Sequence, residues 1–177
     1  MTAVRPAAGI ALAAGAVHHR PTGAAFDVVL LLHVACVVVG TGSVVVGGLQ
    51  ARRLQRAGAG PVPADLRGYF APGPNWAGRV LYGVPIFGFA LLGMSDGFFE
   101  LADGWVLYGF VLWILAVAVA EGVLWPTERR IRTAVAAAGP DAEPASAVGG
   151  ECRQVVWLSA GLVVVLVLAT VLMVAQP

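Results

Sequence analysis

Lysine is missing from this chain: its 11 basic residues are all arginine, set against 10 acidic ones for a formal net charge of +1. Charged residues make up only 12% of the 177 positions, about half the share of an ordinary soluble domain. So sparse and balanced a charge leaves no basic stripe to neutralise phosphates, which excludes a nucleic-acid-binding surface. Cysteine is scarcer still. Cys36 and Cys152 are too few for a disulfide framework, no CxxC or CxxCH pattern occurs, and the two are expected at different depths and unbonded. The chain also lacks an EF-hand loop or Asp-x-Asp pattern. It has no internal repeat of the kind that builds inverted-repeat transporters. No stretch alternates apolar and polar residues as a membrane barrel strand must.

Apolar residues fill the space left by charge. Hydrophobic types account for 59% of the chain and mean hydropathy is +0.83. A fold in water would expose apolar patches that soluble monomers rarely carry, whereas a bilayer solvates them. Crossing the ~30 Å hydrocarbon layer takes about 20 apolar residues as a helix. Four runs qualify: about 28–49, closed by Gln50-Ala51-Arg52-Arg53; about 80–95, the shortest; about 105–125, ending at Pro126; and about 155–174, nearly pure valine and leucine. The expected fold is therefore all-α, a polytopic membrane protein built as a four-transmembrane-helix bundle over residues 26–177, with the bilayer as its first partner. Arginine as the only cation, amid so much Ala, Val and Gly, is what GC-rich coding produces and suggests a bacterial plasma membrane.

Arginine placement gives an orientation. Arg52, Arg53, Arg56, Arg67 and Arg79 lie between spans one and two, and Arg129, Arg130, Arg132 and Arg153 between spans three and four. Arg5 and Arg20 alone fall on the other side. Positive connections stay in the cytoplasm, so connections 50–79 and 126–154 are expected inside and both termini outside. Residues 1–25 read as a disordered tail. Arg5 followed by Ala7–Val17 has the outline of a signal peptide, without the leucine-rich core. Trp76, Trp105, Trp125 and Trp157 fall near span ends, where indole rings favour the headgroup layer. Thr127–Ala138 is expected as a short interfacial helix with its arginines toward headgroups, and 139–150 as a flexible linker. Ala57–Pro63 is a breaker-rich joint, after which Tyr69, Phe70 and Trp76 are expected along the interface.

Within span one, His33, Cys36, Gly40, Ser43 and Gly47 fall three, four, three and four residues apart, which aligns them on one face. The small members Gly40, Ser43 and Gly47 suit close helix packing. So do Gly83, Gly88 and Gly93 in span two, where Pro85 either bends the helix or marks its start. An ionisable group inside a membrane is a functional candidate. His33 could hydrogen-bond across the bundle, or ligate copper or haem iron with Cys36 and the thioether of Met94. Glu121, near the end of span three, could pair with an arginine of the segment that follows or act as a proton or ion relay. Asp96, Glu100 and Asp103 read as a solvated acidic loop, with a weak cation site as the alternative.

The run Leu32-His33-Val34 with Gly40, the run Pro74-Asn75-Trp76-Ala77-Gly78-Arg79, and the run Leu124-Trp125-Pro126-Thr127-Glu128-Arg129-Arg130 resemble a bacterial family of predicted four-helix integral membrane proteins of unknown function. The early Leu-His and later Gly are similar to copper-resistance D-type membrane proteins and to a membrane protoporphyrinogen oxidase family. The resemblance spans roughly 26–130 and implies that His33 matches those families' first-span histidine. The chain departs from the haem-binding relatives in lacking further intramembrane histidines and in carrying Val39 where an aromatic residue is usual. Three functions stay open: an accessory or assembly component acting through helix packing, with a membrane protein or a second copy as partner; a copper- or haem-linked redox protein using His33; and a small transporter subunit.

Overall fold

The computed structural model describes residues 21–58, 61–73, 75–138 and 148–175. The signal-peptide outline at Ala7–Val17, Arg5, Arg20 and most of the 139–150 linker lie outside them. Every regular element among the described residues is helical: α1 (Ala24–Ala57), α2 (Ala64–Tyr69), α3 (Trp76–Arg79), a 3₁₀ turn (Val80–Tyr82), α4 (Gly83–Gly93), α5 (Gly104–Val119), a π turn (Ala120–Leu124), α6 (Trp125–Ala137) and α7 (Gly149–Ala175). Joined end to end, they make four apolar rods long enough to cross a membrane, Ala24–Ala57, Trp76–Gly93, Gly104–Ala137 and Gly149–Ala175.

The rods are longer than the apolar runs suggest. α1 has 34 residues, about 51 Å at 1.5 Å per residue, and does not close at Leu49. Its helix continues because the apolar phase continues: Gly47, Gly48, Ala51 and Leu54 are buried, while Arg52, Arg53 and Arg56 point outward. The third rod likewise runs through Pro126 rather than ending there. Proline cannot donate to the carbonyl four residues back and its ring crowds that carbonyl. The widened turn just before it relieves the clash, with the Trp125 amide bonding to Ala120 O. Thr127 Oγ1 then donates to Val123 O at 2.7 Å. Thr127–Ala138 is thus no separate interfacial helix; α6 buries Trp125, Glu128, Ile131 and Val135 against its neighbours. The fourth rod starts at Gly149, so the end of the expected linker is helix. The second starts at Trp76 and ends at Gly93.

α1 is the central rod, contacting α7, α4, α3, the 3₁₀ turn and α2, and α5 packs on α7. Phe89 meets Phe110 edge-on at 5.3 Å, joining α4 to α5 and closing the ring of four. Pro85 leaves its own mark here. It removes the amide that would have bonded Leu81 O, and the indole Nε1–H of Trp113 on α5 donates to that carbonyl at 2.9 Å. The Gly83 amide also faces Leu81 O, so the indole adds a well-placed donor to a carbonyl that has lost its usual one.

Packing tightens toward the arginine-bearing end. α1 buries nothing before Gly40, and none of α4 is fully buried. At the other end Leu54, Leu66, Phe70, Ile131, Val135, Val148 and Cys152 form a dry cluster, each at most 4% exposed. The connections expected as loops are therefore largely helical extensions that continue the bundle's one core, and Phe70 is inside it rather than along the interface. Gly58, at φ 61, ends α1, and Arg53 pairs with Asp65 at 2.9 Å across the joint. Cys36 and Cys152 are free thiols.

Candidate functional site

The stripe on span one is one continuous seam. At its outer end His33 Nδ1 bonds Val84 O at 2.9 Å, and its ring lies over Gly88, where a Cβ would come within 3.4 Å of Cε1. One turn on, Cys36 Sγ fills the space over Gly83, 2.6 Å from where a Cβ would stand. Leu81 packs into the notch of Gly40, its Cδ2 2.5 Å from a Cβ built there. Ser43 turns inward on its own helix, donating to Gly40 O at 2.7 Å. Last, Gly47 admits the Glu128 carboxylate from α6, with Oε1 2.8 Å from a built Cβ and the Tyr69 hydroxyl 3.5 Å away. The adjacent Gly48 lets Ser159 of α7 approach. Each of these glycines receives a larger side chain from a neighbouring element, the pattern lipid-embedded helices need in order to touch closely.

The three soft donors do not converge. His33 and Cys36 share a face against α4, but Met94 lines a separate hollow with Gly23, Phe26 and Asp96. Phe26 precedes His33 by seven residues, about 10 Å along the rod. Among the described residues no group of three or more His, Cys, Asp or Glu side chains could hold a metal. Among the described residues His33, Cys36 and Met94 are thus not gathered into one ligand set. At the mouth of that hollow Asp96 adopts φ 48, and the Glu100 amide donates to Asp103 Oδ2 at 2.9 Å.

Glu121 is paired, though not with the segment that follows it. The Tyr82 hydroxyl donates to Glu121 Oε1, and Arg79 Nη1 stands 3.6 Å from the same oxygen. Both come from the start of the second rod. Arg79 also lies over the Trp125 ring, 5.3 Å from its centroid. Trp125 is only 5% exposed, so it is no headgroup anchor; Trp76, at 72%, and Trp157, at 73%, keep that exposure.

Beyond this clamp an open cleft of about 740 Å³ separates the α2–α3 connection from α6. Asn75, Arg79, Glu128, Arg129, Arg132 and Thr133 supply its polar lining. Asn75 holds the wall by two bonds, accepting from the Gly78 amide at 3.1 Å and donating to Glu128 Oε2 at 3.4 Å. Arg132 donates to Ala71 O at 3.2 Å and stands over the Tyr69 ring at 5.9 Å. Burial, and then the Glu128 carboxylate, push the Tyr69 phenol above its ordinary value, while Arg132 pulls it back.

Glu128, Asn75 and Tyr82 are not legible as site residues from their surroundings alone. A signal for Glu128 does exist: Trp125, Glu128, Ile131 and Val135 fall three, three and four residues apart, which puts a carboxylate on the apolar stripe of α6. Compared with known proteins, the chain matches no family model, no curated protein and no solved structure.

Proposed function

We propose that this chain is an accessory or assembly component of a bacterial plasma membrane, acting through helix packing rather than by catalysis, with its arginine-bearing end in the cytoplasm and both termini outside. One observation carries the reading: where five polar side chains inside the rods go, Thr41 and Ser159 being buried hydroxyls without a partner among the described residues. His33 bonds a carbonyl of α4, Trp113 a carbonyl of the 3₁₀ turn, and Glu121 is held by Tyr82 and Arg79. Thr127 and Thr170 return to carbonyls of their own rods. The first three fasten helix to helix. The orientation is supported by the meeting of both arginine-bearing connections at one end of the bundle, where Arg132 reaches Ala71 and Asn75 reaches Glu128. The outer surface is left to lipid or to another membrane helix, with Val38 of α1 at 64% exposure and Val171 of α7 at 55%.

Crosslinking in native membranes, followed by light scattering of the detergent-solubilised particle, tests this. A defined complex with a second membrane protein or a second copy is expected; a strictly monomeric particle with no crosslinked companion overturns it. A redox role at His33 keeps one point in its favour, since an imidazole held at Nδ1 by a carbonyl presents Nε2 for ligation. Among the described residues no second donor joins His33 beyond Cys36 on the same face. A colourless, metal-free complex and an unimpaired His33→Ala variant would end it.

A further inference from the structure

We propose that the cleft between the α2–α3 connection and α6 binds the phosphate of an anionic phospholipid headgroup. Three arginines line it, Arg79, Arg129 and Arg132, against one lining carboxylate, Glu128. Glu128 is 4% exposed and committed to Asn75 and the Gly47 notch, while Arg79 is offset by Glu121. Arg132 is anchored by a single carbonyl and by the Tyr69 face. Arg129 is exposed, and no hydrogen bond or ion pair engages its side chain among the described residues. Among the described residues neither Arg129 nor Arg132 forms a salt bridge, although the Glu128 carboxylate lies close enough to Arg132 to feel its charge. Guanidinium forks match phosphate oxygens bidentately and are lightly hydrated, which suits them to this ligand.

Depth selects lipid over a soluble anion. About 20 residues of helix cross the hydrocarbon layer, so a rod entering at Gly104 leaves it near Trp125. Arg129 and Arg132 follow at about 6 and 10 Å along the axis, within or just past the ~5–8 Å headgroup layer. The lining also carries apolar surface, from Trp125, Pro72 and Ala136, as the glycerol and first acyl carbons require. Basic recesses of this kind at the cytoplasmic edge of helix bundles suit anionic headgroups. Such a site needs only the membrane placement and stands whether or not the chain is an accessory component.

The test is thermal unfolding of the full-length protein in a neutral detergent, titrated with short-chain phosphatidylglycerol, with net-neutral phosphatidylcholine, or with inorganic phosphate alone. Phosphatidylglycerol at a hundredfold excess over its dissociation constant is expected to raise the midpoint by about 5–10 °C. Arg129→Gln is expected to weaken the apparent affinity about tenfold or more. This variant removes an exposed side chain that has no partner among the described residues, and the unfolding midpoint without added lipid reports whether its fold is intact. Arg130→Gln, equal in charge but outside the cleft lining, is expected to bind as the unsubstituted chain does. Equal protection by inorganic phosphate retains the anion site and overturns lipid as its source. Equal protection by phosphatidylcholine, or an Arg130→Gln loss as large as that of Arg129→Gln, overturns the site itself.

Discussion

Pro85 and Trp113 make a pair whose coupling can be measured. Proline at 85 leaves Leu81 O without the amide four residues on, and the Trp113 indole donates to it at 2.9 Å beside the Gly83 amide. Trp113→Phe removes that donor and some ring volume, and also alters the stacking on Phe110, whose ring lies 5.9 Å away. Pro85→Ala returns an amide at the position where the helix wants one. The volume and stacking losses are common to Trp113→Phe in either background, so they cancel in a double-mutant cycle. What remains is the worth of the rescued carbonyl. Interhelical hydrogen bonds in membranes measure about 0.6 kcal/mol on average and up to about 1.7, which for a chain of this size is about 1–7 °C in unfolding midpoint. Trp113→Phe should therefore cost more in the unsubstituted chain than in the Pro85→Ala background, by that margin, in detergent-solubilised protein followed by circular dichroism. An equal cost in the two backgrounds would refute the argument that the indole replaces a backbone donor.

Further expectations concern the seam and the cleft. Gly40→Ala drives a methyl against Leu81, which is 2% exposed, whereas Gly42→Ala meets nothing within 4 Å. Both gain the same helix propensity, so the first should be the less stable by about 1–3 kcal/mol of overpacking, read as a difference in unfolding midpoint; equal midpoints would disprove the seam. Asn75→Ala removes the cap of α3 and the donor to Glu128 and should lower stability by about 0.5–2 kcal/mol, checked in the same assay. Tyr69 has its phenol raised by burial and by Glu128, so it favours the folded state below the ordinary phenol value of 10.0. That contribution is lost as pH climbs through the raised value. Tyr69→Phe should flatten the alkaline decline in unfolding midpoint; an unchanged decline assigns it to other groups.

Much of the architecture is written in run length. Twenty apolar residues have few alternatives in lipid, so four rods follow from composition and periodicity, and the three- and four-residue spacing of His33, Cys36, Gly40 and Gly47 puts them on one face, where Leu81 lies against Gly40 and Glu128 against Gly47. The rod ends are harder to read. The paired charges at Arg52 and Arg53 look like a helix end, yet Ala51 and Leu54 carry the apolar phase onward with arginines on the opposite side. Pro126 reads as a stop, and the wider turn before it turns it into a step. Which carbonyl, glycine or guanidinium a side chain meets depends on how four rods are rotated against one another, and no local pattern encodes that. For this reason Arg79, Tyr82 and Glu128 emerge only from the three-dimensional arrangement, although Glu128 betrays itself by its phase.

The uneven packing along the bundle has a mechanical consequence. Fastened by the buried cluster around Leu54, Phe70 and Ile131 and less deeply buried at the opposite end, the rods resemble stems bound most firmly at one end of a sheaf. Tilting forced by a thicker or thinner bilayer is then absorbed where the binding is slack, around the first turns of α1 and the length of α4. Amide exchange should be quickest there and slowest beside Cys152. The imidazole of His33 lies in that less buried half, where its bond to Val84 O is one of the few polar ties between α1 and α4.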